Sequence, residues 1–160
     1  IISDDEGWAY LKLNDLEEKV VQTELSRSLN VAWYRNQSRN LHASLAIPYK
    51  LNDVWENMYP DFIFFQKIGD GKIIRSIVDP HGDWLGDSIA KLKGYVLYLK
   101  DHPDMFGSVL AVTDEKGGVY RYLDLMSKQV QNKIENFTGN SAKELFMGQL
   151  GKNYKVVSNQ

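Results

Sequence analysis

Residues 60–81 read PDFIFFQKIGDGKIIRSIVDPH, two apolar runs joined by a short charged turn. Each run is rich in β-branched and aromatic residues, which is typical of strands. Asp61 opens the first run and Asp79 closes the second. The Gly-Asp-Gly sequence at residues 69–71 predicts a tight turn between them. An antiparallel hairpin folded at this turn brings Asp61 and Asp79 to the same end of a sheet.

Two neighbouring carboxylates suit a divalent cation. A hard ion such as Mg2+, or Mn2+ in its place, prefers oxygen ligands and commonly uses one or two carboxylates together with substrate phosphates. The pair Asp61 and Asp79 therefore makes phosphodiester hydrolysis the first reaction class to consider. The same residues also have a purely structural interpretation, because Asp before a strand and Asp-Pro after one are common strand-ending sequences.

These residues resemble the C-terminal domain of superfamily 2 helicases related to the Res subunits of type III restriction enzymes. The most specific part runs from Pro-Asp at residues 60–61 to Asp-Pro-His-Gly-Asp at residues 79–83, followed by DSIAKLKG at residues 87–94. Weaker matches are WYRN at residues 33–36 and AIPY at residues 46–49. The resemblance covers roughly residues 16–125.

The resemblance implies an α/β fold with a restriction-endonuclease-like core, a central mixed sheet flanked by helices. In that PD-(D/E)XK family, the acid after proline, an acid on the next strand and a lysine two residues further on assemble the metal site. The resemblance therefore implies that Asp61 and Asp79 bind Mg2+ or Mn2+, with the carbonyl of Pro80 as a further ligand. His81 occupies the position of the lysine, so the chain departs from the motif.

The cation that the motif requires must come from His81 or from elsewhere. His81 can orient water or contact phosphate, but an imidazole that is mostly neutral at pH 7 replaces a permanent ammonium poorly. Lys91 and Lys93 lie on the helix predicted to follow the site. By helical angle Lys93 is nearer the apolar face and Lys91 points away, whereas Lys91 fits the family pattern more closely. The sequence leaves the choice open, and both lysines also fit a solvated helix face.

Residues 14–29 have the apolar periodicity of an amphipathic helix. At about 100° per residue, Glu17 and Glu24 project within the apolar arc instead of opposite it. A buried acid needs a partner. In one interpretation Glu24, with or without Glu17, points across the sheet toward the metal, as a first-helix acid does in relatives of this nuclease fold. In the other it forms a salt bridge with Arg27 or Arg35.

The remaining pattern predicts one α/β domain with a core at residues 14–125 and a helical tail at residues 126–160. Asn14 or Asp15 is expected to cap the first helix. Tyr95 and the other aromatic residues at core spacings are expected to pack in the interior. The other predicted elements are strands at residues 31–35 and 44–49, a helix at 85–100, a second hairpin at 108–113 and 119–125, and short helices at 127–137 and 141–150.

Composition limits the classes of function. The 160 residues are 43% hydrophobic and 25% charged, enough for one ordinary core. The net charge of −2 gives no general attraction to nucleic acid, so DNA contacts need a local patch. The candidates for this patch are Arg35, Arg39, Lys50, Lys91 and Lys93, of which Arg35, Arg39 and Lys93 are the predicted DNA contacts. The lack of cysteine excludes thiolate zinc sites and fits a cytoplasmic protein. No apolar run is long enough to span a membrane.

The sequence therefore predicts a metal-dependent DNA endonuclease domain of a helicase-nuclease or restriction-type anti-phage protein. Since the chain does not begin with Met, it is expected to be a C-terminal fragment of a larger chain. The resemblance implies DNA, the helicase motor and a methyltransferase subunit as partners. Two alternatives are an inactive nuclease fold kept for DNA binding or motor docking, and an unrelated α/β interaction domain whose aspartates merely end strands.

Overall fold

The structure is a computed structural model that describes residues 2–3, 9–10, 12–27, 29–40, 42–80, 86–115 and 118–157. The helices among these residues are α1 Asp15–Leu25, α2 Ser88–Asp101, α3 Lys128–Glu135 and α4 Lys143–Met147. The strands are β1 Ile2–Ser3, β2 Ala9–Tyr10, β3 Asn30–Arg35, β4 Ile47–Leu51, β5 Val54–Met58, β6 Phe62–Lys67, β7 Ile73–Pro80, β8 Ser108–Glu115, β9 Val119–Asp124 and β10 Lys152–Asn153. No helix in the described ranges has the length and apolar character that crossing a bilayer requires.

The central sheet has six strands in the order β10-β9-β8-β7-β6-β3 within the described part of the chain. Strands β3, β6 and β7 form an antiparallel meander, whereas β8 runs parallel to β7. A parallel neighbour requires a crossover connection, and α2 supplies it. Strands β9 and β10 then extend the sheet in antiparallel fashion. This mixed sheet flanked by helices confirms the predicted α/β architecture.

Both faces of the sheet are buried, which explains why its middle strands are apolar almost throughout. On one face, Phe62, Phe64 and Val78 pack with Val20 and Val21 of α1. On the other face, a larger core joins the sheet to α2, α3 and α4; it includes Ile77, Leu92, Tyr95, Val109, Leu123, Ile134 and Phe146. Since successive residues of a strand face opposite sides, Asp79 points to the α2 face, as Ile77 does.

The hairpin predicted at residues 60–81 is confirmed for its described part. Strands β6 and β7 pair antiparallel with Phe62 opposite Val78, and Gly71 in the turn has a φ of +81° that suits glycine. One residue beyond this pair stand Asp61 and Asp79. The sequence-based register therefore brings the two aspartates side by side at one end of the sheet.

The strand expected at residues 44–49 differs from the prediction. It is β4, and it pairs with β5, which the sequence did not reveal, in a hairpin separate from the central sheet. Asn52 and Asp53 close this hairpin with φ angles of 48° and 65°, as a two-residue turn of this kind requires. Strand β5 was missed because its residues Val54 to Asn57 are exposed and show no apolar alternation.

The first helix begins as predicted and ends earlier. Asn14 caps α1, its side-chain oxygen accepting the Glu17 N–H while the Glu17 carboxylate accepts the Asn14 N–H, each at 2.9 Å. The helix ends at Leu25, four residues before the predicted end at Leu29. This capping box fixes the direction in which α1 leaves the site end of the sheet.

The β4–β5 hairpin is seated on α2 at Gly94. A Cβ atom added there would lie 2.5 Å from the Tyr49 Cβ and 3.0 Å from the Pro48 carbonyl oxygen. Contacts this short are not tolerated, so the close approach of β4 to α2 requires glycine. Tyr49 also donates a hydrogen bond from its hydroxyl to Asp87 Oδ2 at 3.1 Å, which holds the same hairpin to the start of α2.

We expect Gly94→Ala to destabilise the protein by about 1–3 kcal/mol, because the hairpin must shift to admit the methyl group. By helix propensity alone, alanine would stabilise the protein by about 1 kcal/mol relative to glycine. A decrease in the unfolding free energy would therefore show that the close contact with Tyr49 outweighs this gain. Urea unfolding measures this free energy. Leu97→Ala, at an exposed position of the same helix, is the control and should change the unfolding free energy little. A stabilised Gly94→Ala variant would contradict the rigid seat.

Candidate functional site

Asp79 is held by two donors from different elements. Its Oδ1 accepts the backbone N–H of Asp61 at 2.8 Å, and its Oδ2 accepts the Tyr95 hydroxyl at 2.9 Å. Asp79 as a whole is only 8% exposed, so these bonds offset the cost of burying its carboxylate. Complete burial raises the pKa of Tyr95 well above its usual range, and the negative charge of Asp79 raises it further. Tyr95 therefore remains a hydroxyl donor at neutral pH.

The role of Tyr95 was missed by the sequence analysis, which assigned this residue to packing. It does pack in the core with Leu92 and Leu99. A buried tyrosine nevertheless needs a partner for its hydroxyl group. The sequence contained part of this signal, since a tyrosine on the apolar face of α2 and an acid at the end of β7 both required a polar neighbour.

Asp61 is joined to α1 through Arg35. The Arg35 Nη1 atom lies 3.0 Å from Asp61 Oδ1, and its Nη2 atom donates to Glu17 Oε1 at 2.7 Å. The guanidinium also lies over the ring of Phe62, 4.8 Å from its centroid. Glu17 is buried, as its helical angle predicted, and its carboxylate forms a salt bridge with Arg35 in addition to accepting the Asn14 N–H. Arg35 thus bridges two acids at the site.

Glu24 is also buried, but the structure does not bring it together with Asp61 and Asp79. It lies seven residues after Glu17, about 10 Å further along the helix axis. Its carboxylate accepts the Tyr154 hydroxyl at 2.7 Å and lies 3.0 Å from Arg27 Nη1. The predicted position near the Asp61 end is therefore not observed, and the salt-bridge interpretation describes its surroundings.

A cleft of about 420 Å³ adjoins the two aspartates, and Lys91 lines it with them. The Lys91 ammonium lies 2.9 Å from Asp87 Oδ2, the oxygen that also accepts the Tyr49 hydroxyl. Burial acts to raise the pKa of Asp87, but the hydrogen bond and positive charge of Lys91 outweigh it and lower that pKa. Asp87 therefore stays ionised and fixes the position of Lys91.

The structure separates the two candidate lysines. Lys91 lines the cleft, although its helical angle suggested that it points away from the site. The angle misled because the cleft lies between α2 and the β4–β5 hairpin, beside the apolar face of the helix. Lys93 is exposed, and its ammonium donates to the Phe137 carbonyl oxygen at 3.1 Å instead.

Two of the other predicted site residues, Pro80 and Arg39, line the same cleft. Pro80 ends β7, and Arg39 has a left-handed backbone with φ 62°. Arg35 is engaged with Asp61 as described. His81 lies outside the described residues. Arg39 and Lys91 are thus the cations that the structure places on the cleft wall.

The oxygen donors at this end fit a hard cation only in part. Asp61, Asp79 and the Pro80 carbonyl are the ligand types that Mg2+ and Mn2+ prefer. Within the described ranges, no group of three or more His, Asp or Glu side chains is arranged to hold a metal ion. Water and substrate oxygens would have to complete the coordination shell, as is usual for Mg2+. A metal bound here would therefore need oxygen ligands from outside this group of residues.

We expect Tyr95→Phe to lower the unfolding free energy by about 1–3 kcal/mol, because buried Asp79 Oδ2 loses the donor that Tyr95 supplies. Urea unfolding checks this. Tyr98→Phe is a matched control on α2, since it removes only a weak hydrogen bond to the sulfur of Met105 and should have a smaller effect. Equal stability of the two variants would mean that the Tyr95 hydroxyl does not hold Asp79.

Glu24→Gln should change how stability depends on pH. Burial raises the pKa of Glu24 above its usual 4.5, so folding favours the protonated acid. The stability linked to this proton is fully present below pH 4.5 and is lost as the pH rises through the raised pKa. The substituted amide cannot ionise but can still accept a hydrogen bond. The variant should therefore gain stability relative to the parent as the pH rises from about 4 to 8.

Unfolding in urea at several pH values measures the effect, with Glu18→Gln as the control on the exposed side of α1. The Glu18→Gln curve should run parallel to that of the parent protein. A stability difference between Glu24→Gln and the parent that stays constant over this range would show that Glu24 keeps its usual pKa on folding.

Comparison with known proteins places this chain in a family. The model of the YagJ family matches residues 1–155. Protein YagJ of Escherichia coli (strain K12) is 34% identical over 155 residues, which are 97% of this chain and 62% of that protein. The chain thus spans less than two thirds of the length of this relative. No solved structure matches this chain. On the extent of both sequence matches, the chain belongs to the YagJ family.

Proposed function

We propose that this chain is a metal-dependent DNA endonuclease domain that hydrolyses phosphodiester bonds. The observation that carries the proposal is the pairing of Asp61 with Asp79 at one end of the sheet, in a cleft that Lys91 also lines. Further support comes from the order of the elements that build the central sheet, α1, β3, β6, β7, α2 and β8, with the separate β4–β5 hairpin inserted between β3 and β6. The resemblance to PD-(D/E)XK nucleases implies a core of this order.

Each residue of the cleft has a role in this proposal. Asp61, Asp79 and the Pro80 carbonyl would hold Mg2+ or Mn2+, which when bound polarises phosphoryl oxygens and acidifies water. Tyr95 and the Asp61 N–H keep the Asp79 carboxylate oriented. Lys91, held by Asp87, offers a permanent positive charge to the phosphate as negative charge develops on it.

The choice of Lys91 answers the departure from the motif at His81. A preorganised cation stabilises developing charge without having to reorganise during the reaction. The salt bridge to Asp87 gives Lys91 that preorganisation, whereas the Lys93 ammonium donates to the Phe137 carbonyl oxygen. Arg39, on the same cleft wall, is the second cation available to a DNA phosphate. In this proposal Lys91 and Arg39 contact the phosphate backbone, and Lys93 has no assigned role.

A second candidate function is favoured by Arg35. Its guanidinium lies 3.0 Å from Asp61 Oδ1 and supplies that carboxylate with a permanent positive partner. A metal ion would have to compete with this partner for Asp61. If Arg35 keeps Asp61 from binding a metal ion, the domain is an inactive nuclease fold that binds DNA or docks onto a helicase motor. We further propose that the domain works with a helicase motor in the same longer chain and with a methyltransferase subunit.

Plasmid nicking with Mn2+ tests the endonuclease proposal. Asp79→Asn should reduce cleavage by at least about 100-fold while the fold persists, because Asn keeps the shape of the side chain but not its charge. Lys91→Gln should also reduce cleavage strongly, and Lys93→Gln is its matched control and should not. With Lys91 in this role, His81→Lys should change the rate little. Circular dichroism spectra confirm that each variant is folded.

The outcomes separate the two candidate functions. If the parent chain binds DNA but does not nick it with Mn2+ or Mg2+, the inactive fold replaces the endonuclease. Arg35→Gln then identifies the cause, because removal of the guanidinium should increase Mn2+ affinity, measured by calorimetry, if Arg35 competes for Asp61. If Lys91→Gln and Lys93→Gln both cleave as fast as the parent chain, neither lysine supplies the catalytic charge.

A further inference from the structure

The outer face of the β4–β5 hairpin presents an unusually exposed tryptophan. Trp55 is 60% exposed, and it stands opposite Lys50 in the hairpin register. Pro48 and Asn57 form the adjacent pair on the same face, because residues two apart along a strand point the same way. An aromatic ring, an ammonium group and an amide are therefore collected on one exposed surface, which we call the outer hairpin face.

The opposite face fixes the hairpin to the body of the protein. Ile47, Tyr49 and Met58 are buried in the core formed with α2. The contact at Gly94 brings the β4 backbone close to the helix, and the Tyr49 hydroxyl is bonded to Asp87. Asp87 also forms a salt bridge with Lys91, so the same carboxylate contacts both the hairpin and the lysine that lines the cleft. The outer hairpin face is thus presented in a defined position relative to the candidate site.

The hairpin continues directly into the cleft. Glu56, Asn57, Met58 and Tyr59 line the cleft that contains Asp61 and Asp79. Trp55 precedes Asp61 by six residues, which span at most about 20 Å in extended chain. At 3.4 Å per stacked nucleotide along one strand, this corresponds to no more than about six nucleotides. A strand with a phosphate at the aspartates can therefore reach Trp55.

We propose that the outer hairpin face binds single-stranded DNA, with one base stacked on Trp55 and a neighbouring phosphate contacted by Lys50. This inference rests on the proposed function, since it takes the cleft as the place where the phosphodiester lies. Base stacking on an aromatic ring combined with a cation for the backbone is the usual way to bind a single strand. Arg39, on the wall of the cleft that contains the aspartates, is a further cation for the backbone.

Lys50 can exchange its present partner for a phosphate. Its ammonium lies 2.9 Å from Asp53 Oδ1, but the side chains are 52% and 95% exposed, so solvent screens the pair. Because every base has an aromatic face, stacking on Trp55 does not select a sequence. The face should accordingly bind oligonucleotides of different sequence with similar affinity, and it should prefer single strands, whose bases are free to stack, over duplex.

Fluorescence anisotropy with labelled 12-nucleotide oligo-dT in EDTA tests the inference without requiring cleavage. Trp55→Ala should weaken binding by roughly 10-fold or more, whereas Trp55→Phe, which retains a ring, should lose much less. Val54→Ala is the matched control, because Val54 is the neighbouring residue and is 59% exposed. Its affinity should equal that of the parent chain. A 12-base-pair duplex should bind more weakly, and Trp55→Ala should affect it less.

The results distinguish this inference from the endonuclease proposal. If DNA binding depends on Trp55 but the chain does not cleave DNA, the single-strand inference is supported and the endonuclease proposal is overturned. If Trp55→Ala cleaves DNA with metal and keeps the oligonucleotide affinity of the parent chain, only the single-strand inference is overturned. The inference also fails if the parent chain binds no oligonucleotide in EDTA. It fails equally if Trp55→Ala leaves DNA binding intact but converts a dimer to a monomer in sedimentation, because the face then joins two copies.

Discussion

The burial of Asp79 between the sheet and α2 is the constraint on which the site depends. A carboxylate in this position costs free energy unless its oxygens find donors. Tyr95 supplies one from the middle of α2, and the Asp61 N–H supplies another from the neighbouring strand. The two bonds fix the end of β7 against both α2 and β6. The same interaction that satisfies a buried charge thus positions the acids of the candidate site.

Charged side chains at and around the cleft are paired with one another. Arg35 lies between Glu17 and Asp61, and Lys91 lies against Asp87. Such pairs limit the repulsion among acids that would otherwise destabilise a site with no ion bound. They also mean that a metal or a phosphate must displace existing partners.

The parts of the site set by local pattern could be predicted, and those set by long-range partners could not. The β6–β7 hairpin followed from two apolar runs and a glycine turn, and its register placed Asp61 beside Asp79. Helical angle correctly predicted that Glu24 is buried. It could not identify Tyr154, which lies 130 residues later in the chain, as its partner. The same limit applies to Lys91, whose position depends on how the β4–β5 hairpin packs on α2.

Helix α2 links the features of the site because three of its positions meet different neighbours. Tyr95 reaches Asp79, Gly94 admits the backbone of β4, and Lys91 faces the cleft. These residues lie within five positions, so a small shift of the helix would move all three contacts together. The orientation of Asp79, the seat of the hairpin and the placement of the cation are therefore coupled. The position of the β4–β5 hairpin, and with it that of Trp55, relative to Asp79 therefore depends on how β4 packs on α2.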